Sequence, residues 1–210
     1  MLKFYDCLTA PSPRRVRMLI AEKAIKLQTI QVDLSKGEHL TDAFRAINPH
    51  QTVPVLELED GTRLLDSNSI SLYLDEVFPE SNLTGASPQE RAVIAMWQRD
   101  MDLNGLLAVA ECFRNSSKGF RNRALTGAVD YEQIPELAER ARRRVRTFFT
   151  DLDCRLAYSE YLAGGRFTVA DITAFVSVEF ARAIKEYVPD GAIHLKRWRD
   201  AVAARPSALA

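Results

Sequence analysis

Cysteine is scarce in this 210-residue chain, which holds only Cys7, Cys112 and Cys154. Three scattered cysteines without a CxxC pair exclude a disulfide scaffold and a zinc site, and they fit a reducing, cytoplasmic compartment. An excess of either charge is also missing, with 28 basic residues against 28 acidic ones. That balance argues against a nucleic-acid binder or a membrane-surface protein, each of which holds phosphates with surplus Lys and Arg. No apolar run reaches the ~18 residues of a membrane span. The opening Met1-Leu2-Lys3-Phe4-Tyr5-Asp6 lacks the basic-then-apolar order of a signal peptide. Glycine and proline number nine each, too few for a collagen-like or low-complexity chain. What is present is an apolar fraction of 47%, enough for a sizeable buried core.

The pattern divides the chain in two. Leu2–Tyr5 reads as a strand, and beyond Pro11, Ser12 and Pro13 the spacing of Val16, Leu19, Ile20 and Lys23 reads as a helix ending near Ala24. Leu27–Val32 alternates as a second strand and Leu40–Ile47 fits a short helix. Val53–Leu58 is a third strand that turns at Asp60-Gly61 and returns through Arg63-Leu64-Leu65. Ser67–Val77 follows as a helix with Ser67 placed to cap it. The order β-α-β-α-β-β-α predicts a small mixed sheet with helices packed on it. Beyond Gly85 every element reads as helix. Ser87-Pro88-Gln89-Glu90 combines a Ser N-cap, a proline at the first helical position and a Glu that reaches back. Ile134–Ala157 is long and amphipathic, Thr168-Val169-Ala170-Asp171 opens an almost wholly apolar helix over 172–184, and a last helix over 194–204 stops at Arg205-Pro206. Five arginines between Arg140 and Arg146 sit beside Glu136 and Glu139 and read as a solvated helix face.

Four stretches together carry a resemblance. Phe4-Tyr5-Asp6 leads to Ala10-Pro11-Ser12-Pro13-Arg14-Arg15-Val16-Arg17. Asp33-Leu34-Ser35-Lys36-Gly37-Glu38-His39 precedes Asn48-Pro49-His50-Gln51-Thr52-Val53-Pro54-Val55-Leu56. Leu65-Asp66-Ser67-Asn68-Ser69-Ile70 opens the third helix, and Phe167-Thr168-Val169-Ala170-Asp171 is followed by Trp198 and Ala204-Arg205-Pro206. In order and spacing, nearly the whole chain resembles the cytosolic glutathione transferases, in a bacterial-type subgroup with Ala-Pro-Ser/Asn-Pro-Arg-Arg-Val-Arg. The resemblance implies an α/β, thioredoxin-like domain over 1–80, a linker at 81–85 and an all-α helical-bundle domain over 86–210. It implies glutathione as cosubstrate, a small hydrophobic electrophile as second substrate, and a homodimeric detoxification enzyme of the cytoplasm.

Carried over residue by residue, the implied glutathione contacts are these. Val53, with Thr52 beside it, meets the cysteinyl backbone, ahead of a cis bond at Pro54. Asp66 meets the γ-Glu ammonium, and Ser67 at the positive helix end meets the γ-Glu carboxylate. Gln51 or His50 takes the glycyl carboxylate, with His39 and Asn68 as further contacts. Read alone, Val53-Pro54-Val55-Leu56 fits an ordinary edge strand equally well, and Asp66-Ser67 fits a plain helix cap. Asp stands at 66 where many relatives carry Glu.

The reacting end departs from the family. Transfer needs the thiolate; with a free pKa near 8.5 only about 3% is ionised at pH 7, and a two-unit lowering takes about 2.7 kcal/mol. A helix N-terminus supplies about 0.3–1 kcal/mol, at most ~2, and a hydrogen bond to a charged acceptor about 1.5–3. A hydroxyl at the helix start is therefore required. Where serine-type relatives carry it, this chain has Ala10. Ser12 is the first choice as thiol partner, Thr9 the second, and Cys7, through a mixed disulfide, the third. Each has a plain reading too: Ser12 as a cap ahead of Pro13, Cys7 as a small buried apolar residue. Tyr5 belongs to the strand. Met101, Leu106, Phe113, Arg114 and Phe120 are available to the second substrate, although most of them fit the core or a solvent-facing position better than a pocket; Asp100 or Asp102 could reach the γ-Glu ammonium across a dimer interface. Besides a transferase, the sequence leaves open a non-catalytic, glutathione-binding regulator, which Ala10 favours, and a glutathione-dependent dehalogenase, isomerase or disulfide reductase.

Overall fold

Alternation along β1, Lys3–Asp6, gives the first half of the chain two faces; the computed structural model describes residues 1–210. Phe4 joins the main core with Val16 and Leu19 of α1 (Pro11–Glu22) and Ile70 and Leu74 of α3 (Ser67–Val77). Tyr5 turns the other way into a small cluster with Val32, Phe44 and Val55, so it is a core residue. The sheet runs β2-β1-β3-β4, with β2 at Gln28–Gln31, β3 at Val55–Glu57 and β4 at Arg63–Leu64. β1 is parallel to β2 and antiparallel to β3, with Phe4 opposite Leu56 and Tyr5 opposite Val55. The expected third strand is shorter than its apolar run: Val53 and Pro54 lie ahead of it, joined by a cis peptide bond. The expected helix over Leu40–Ile47 is broken. A 3-10 turn at Glu38–Leu40 ends at Thr41, whose hydroxyl then accepts from Phe44 N–H and caps α2, Asp42–Arg45.

The second half is helical throughout. α4 (Pro88–Asp100) passes through a wider π-helical segment, Met101–Leu106, into α5 (Leu107–Ser116). Gly105 sits where a Cβ would lie 2.7 Å from the Phe148 ring, so this segment meets α6 (Pro135–Leu156) at a distance only glycine allows. α7 (Val169–Phe180) is buried continuously over 169–178 and forms the centre of the bundle. Its cap is the predicted reciprocal one: Asp171 Oδ2 accepts from Thr168 N–H at 3.0 Å. Asp171 Oδ1 also takes Leu162 N–H at 3.0 Å and the Trp198 indole at 3.0 Å, tying in α8, Ile193–Ala203. Met101 and Leu106 are 2% and 5% exposed and belong to the main hydrophobic core, so they are core residues. The arginine run is paired across helices instead of along its own: Arg140 with Glu111 at 3.1 Å, Arg142 and Arg146 with Glu186 at 3.0 and 2.9 Å.

Candidate active site

β1 ends at Asp6 and the chain crosses to α1 through Cys7, Leu8, Thr9 and Ala10. Ala10 holds the N-cap position with extended backbone angles, and no side chain caps the helix. A helix start leaves its first N–H groups free, yet Pro11 and Pro13 have none to offer. Arg14 N–H already reaches the Ala10 carbonyl at 3.3 Å. The first turn therefore presents a single free amide, that of Ser12, beside the half-buried Ser12 hydroxyl. Ser12 is the second helical residue, not the cap its sequence position suggested. Thr9 is exposed, and its Oγ1 lies 3.4 Å from the sulfur of Cys7, which is 6% exposed.

The Val53 segment is braced by a residue that the sequence reading passed over. Asn48 is fully buried; its side chain donates to the Thr52 carbonyl at 2.8 Å and to Thr52 Oγ1 at 3.1 Å, and it accepts from His50 N–H at 2.9 Å. This fixes Gln51 in a left-handed conformation, φ 54°, with its side chain buried; His50 is exposed. His39, in the 3-10 turn, is half-buried. Burial, then the charges of Arg123 and Arg114, push its imidazole below the ordinary value, and its Nδ1 is buried without a partner.

At α3 the helix cap falls on the other of the two adjacent candidates. Asp66, not Ser67, is the N-cap: its Oδ1 accepts from Asn68 and Ser69 N–H at 2.9 and 3.0 Å. Two of the first-turn amides are thus consumed, and the Ser67 amide is left. Beneath it, Arg15 Nη2 donates to Ser67 Oγ. Because that hydroxyl oxygen accepts from a guanidinium, its own proton is available to a ligand. Arg15 is 7% exposed and pairs with Asp102 at 2.5 Å; burial lowers its pKa, opposed by Asp102 and Asp66. Asp102 Oδ2 accepts from Asn68 Nδ2 at 2.6 Å, and Gln98 Nε2 donates to Asn68 Oδ1 and Thr173 Oγ1 at 2.7 and 2.8 Å. A polar network thus locks α1 and α3 onto α4, α7 and the π-helical segment. Asp102 is committed within its own chain and 6% exposed, which removes it as a group reaching across a dimer; Asp100 holds Asn104 at 2.6 Å. Arg15 escaped the sequence reading although its place, three and four residues before Met18 and Leu19, puts it on the buried face of α1.

Of the residues offered to a second substrate, Phe113 and Phe120 pack edge to face at 5.1 Å. The Arg114 guanidinium lies 4.4 Å over Phe120. No group of three His, Cys, Asp or Glu side chains is placed to hold a metal, and no helix is long and apolar enough to cross a membrane.

A cis-proline segment braced by Asn48, and two helix starts joined by Arg15, lie on a thioredoxin-like sheet locked to an all-helical bundle, the architecture of the glutathione transferases. The family model for the glutathione S-transferase N-terminal domain matches residues 9–77, and that for the C-terminal domain matches 112–206. A glutathione S-transferase domain-containing protein of Marinobacter aquaeolei, known from its crystal structure, is 42% identical, with a TM-score of 0.90 over 98% of each chain. Glutathione S-transferase 2 of Saccharomyces cerevisiae is 35% identical over 205 residues, 97% of this chain and 86% of that protein. Maleylacetoacetate isomerase of Pseudomonas aeruginosa is 36% identical over 93 residues, 43% of this chain and 44% of that protein. The chain belongs to the glutathione S-transferase family, enzymes that use glutathione as cosubstrate.

Proposed function

We propose that the tripeptide lies across the ends of α1 and α3, with its sulfur at Ser12. The γ-Glu carboxylate meets the free amide and hydroxyl of Ser67, above the Arg15 charge, and the γ-Glu ammonium meets Asp66. The cysteinyl backbone runs along Thr52 and Val53, and the glycyl carboxylate reaches Gln51 and His39. Asn68 supports the γ-Glu end through Asp102.

At the sulfur, Ser12 donates its hydroxyl and its amide to the thiolate. The observation that carries this reading is the pair of prolines at 11 and 13, which leaves Ser12 as the only donor in the first turn. The thiolate then attacks a small hydrophobic electrophile held against Phe113, Phe120 and Arg114, forming a carbon–sulfur bond as the leaving group departs with its electron pair. Burial and the Thr9 contact leave Cys7 poorly placed for a mixed disulfide. A glutathione-dependent isomerisation is the second reading, favoured by the partial match to an isomerase. We place the sheet domain at 1–80, the bundle at 86–210, and the enzyme in the cytoplasm as a detoxifying homodimer. Leu72, Val77 and Met96, exposed on α3 and α4, support the dimer. The test of the sulfur assignment is Ser12→Ala. Losing one hydrogen bond to a charged sulfur, worth about 1.5–3 kcal/mol, raises the bound thiol's pKa by about one to two units, read by thiolate absorbance. If Thr9→Ala raises it and Ser12→Ala does not, the assignment is wrong.

A further inference from the structure

A buried charged pair that the mechanism above does not use holds the loop between β1 and α1. Asp6, the last residue of β1, is fully buried. Its Oδ1 accepts from Arg17 Nη1 at 2.6 Å and its Oδ2 from Gln31 Nε2, on β2, at 2.6 Å. Arg17 lies on α1, five residues beyond Ser12, with its side chain 12% exposed. Its Nη1 also donates to the Cys7 carbonyl at 3.1 Å and its Nη2 to the Leu8 carbonyl at 3.0 Å. The Cys7 carbonyl accepts Ala10 N–H as well, at 3.0 Å. One planar guanidinium therefore ties the end of β1 to two successive carbonyls of the connecting loop, while its own backbone anchors it in the helix that the loop enters. A forked donor is what arginine offers and lysine does not. The pair sits where small displacements matter most, since a reacting group misplaced by about 1 Å loses on the order of a hundredfold in rate.

We propose that Arg17, oriented by Asp6 and Gln31, is a positioning residue for the reacting thiol. It fixes the Cys7–Ala10 loop, and through it the place of the Ser12 amide and hydroxyl relative to the sulfur. The inference rests on the reading of Ser12 as the sulfur's partner.

The test is Arg17→Lys, which keeps a cation opposite the buried Asp6 but abolishes the fork. Circular dichroism and calorimetric affinity for glutathione stay within about twofold of wild type, and the KM for glutathione stays with them. The pKa of the bound thiol rises by about one unit and kcat with an aryl halide at pH 6.5 falls about tenfold. Gln31→Ala, on an exposed strand edge, moves both readouts the same way by less. A bound-thiol pKa and kcat equal to wild type in Arg17→Lys overturn the proposal. So does a loss confined to affinity with the thiol pKa unmoved. Should Arg17→Lys fail to fold, Gln31→Ala decides, and an unmoved thiol pKa in it overturns the clamp. Wild-type protein that binds no glutathione overturns the reading of the site and the clamp with it; a lowered thiol pKa that neither variant changes overturns the clamp alone.

Discussion

Replacing Lys23 with methionine removes the cation from a carboxylate that has no access to water. Lys23 Nζ lies 2.7 Å from Asp75 Oδ1, and the two side chains are 1% and 0% exposed. Asp75 also accepts from Leu83 N–H at 3.0 Å, Thr84 N–H at 2.8 Å and the Thr84 hydroxyl at 2.6 Å, while Lys23 donates to the Ser81 carbonyl at 2.5 Å. The pair thus fastens the segment that leaves α3 for α4. Breaking a buried pair by removing one partner costs about 3–5 kcal/mol, a large share of a folding free energy of about 5–15 kcal/mol. Adding Asp75→Asn to Lys23→Met removes the orphaned charge and keeps an acceptor for Leu83 and Thr84, so the double variant returns to within about 1–2 kcal/mol of wild type. Urea unfolding followed by circular dichroism measures both. A cost below about 1 kcal/mol for Lys23→Met, or a double variant no more stable than the single one, refutes the reasoning. The pH dependence has a definite sign. Burial works to raise the Asp75 pKa, but Lys23, Thr84 and the Leu83 amide hold it below its ordinary value of 3.8. A depressed folded pKa contributes stability that is complete above the unfolded value and lost as pH falls through the folded one. Lys23→Met removes that depression, so its cost is largest near neutral pH and shrinks as acid protonates the orphaned Asp75 carboxylate.

Ser67→Ala removes the hydroxyl proposed to meet the γ-Glu carboxylate and leaves Arg15 without an acceptor there; calorimetry should show glutathione binding weaker by about 1–3 kcal/mol, and unchanged affinity removes Ser67 from the site. Leu72→Glu with Met96→Glu places charge on the exposed apolar residues of α3 and α4 proposed as the dimer interface, and light scattering should show the proposed wild-type dimer reduced to a monomer. A dimer of unchanged mass in that variant moves the interface elsewhere.

Local rules made much of the fold legible. The Thr168-to-Asp171 spacing specifies its own capping box, and Pro88 after Ser87 marks the start of α4 from three neighbouring residues. The same rules could not choose between Asp66 and Ser67, because both are good caps and only the backbone shows which one precedes the first helical turn. Buried charges were the larger omission. Arg15 meets Asp102 across 87 positions and Lys23 meets Asp75 across 52, and no local pattern links residues so far apart. Met101 and Leu106 stayed open for a related reason: apolar residues near a helix end suit a pocket or a core, and the structure buries both in the core, the side the sequence favoured. Ala10 was legible as a departure, but its consequence was not. Only the structure makes Ala10 the cap, so that the flanking prolines leave Ser12 as the sole donor.

Whether this helix start ionises a bound thiol is read by an ultraviolet titration of glutathione on the wild-type protein. A thiolate band should appear with a pKa below about 7, against about 8.5 for a free thiol, at concentrations where calorimetry shows the tripeptide bound. Glutathione bound with an unshifted thiol would contradict it, and would leave a peptide site without the chemistry assigned to Ser12.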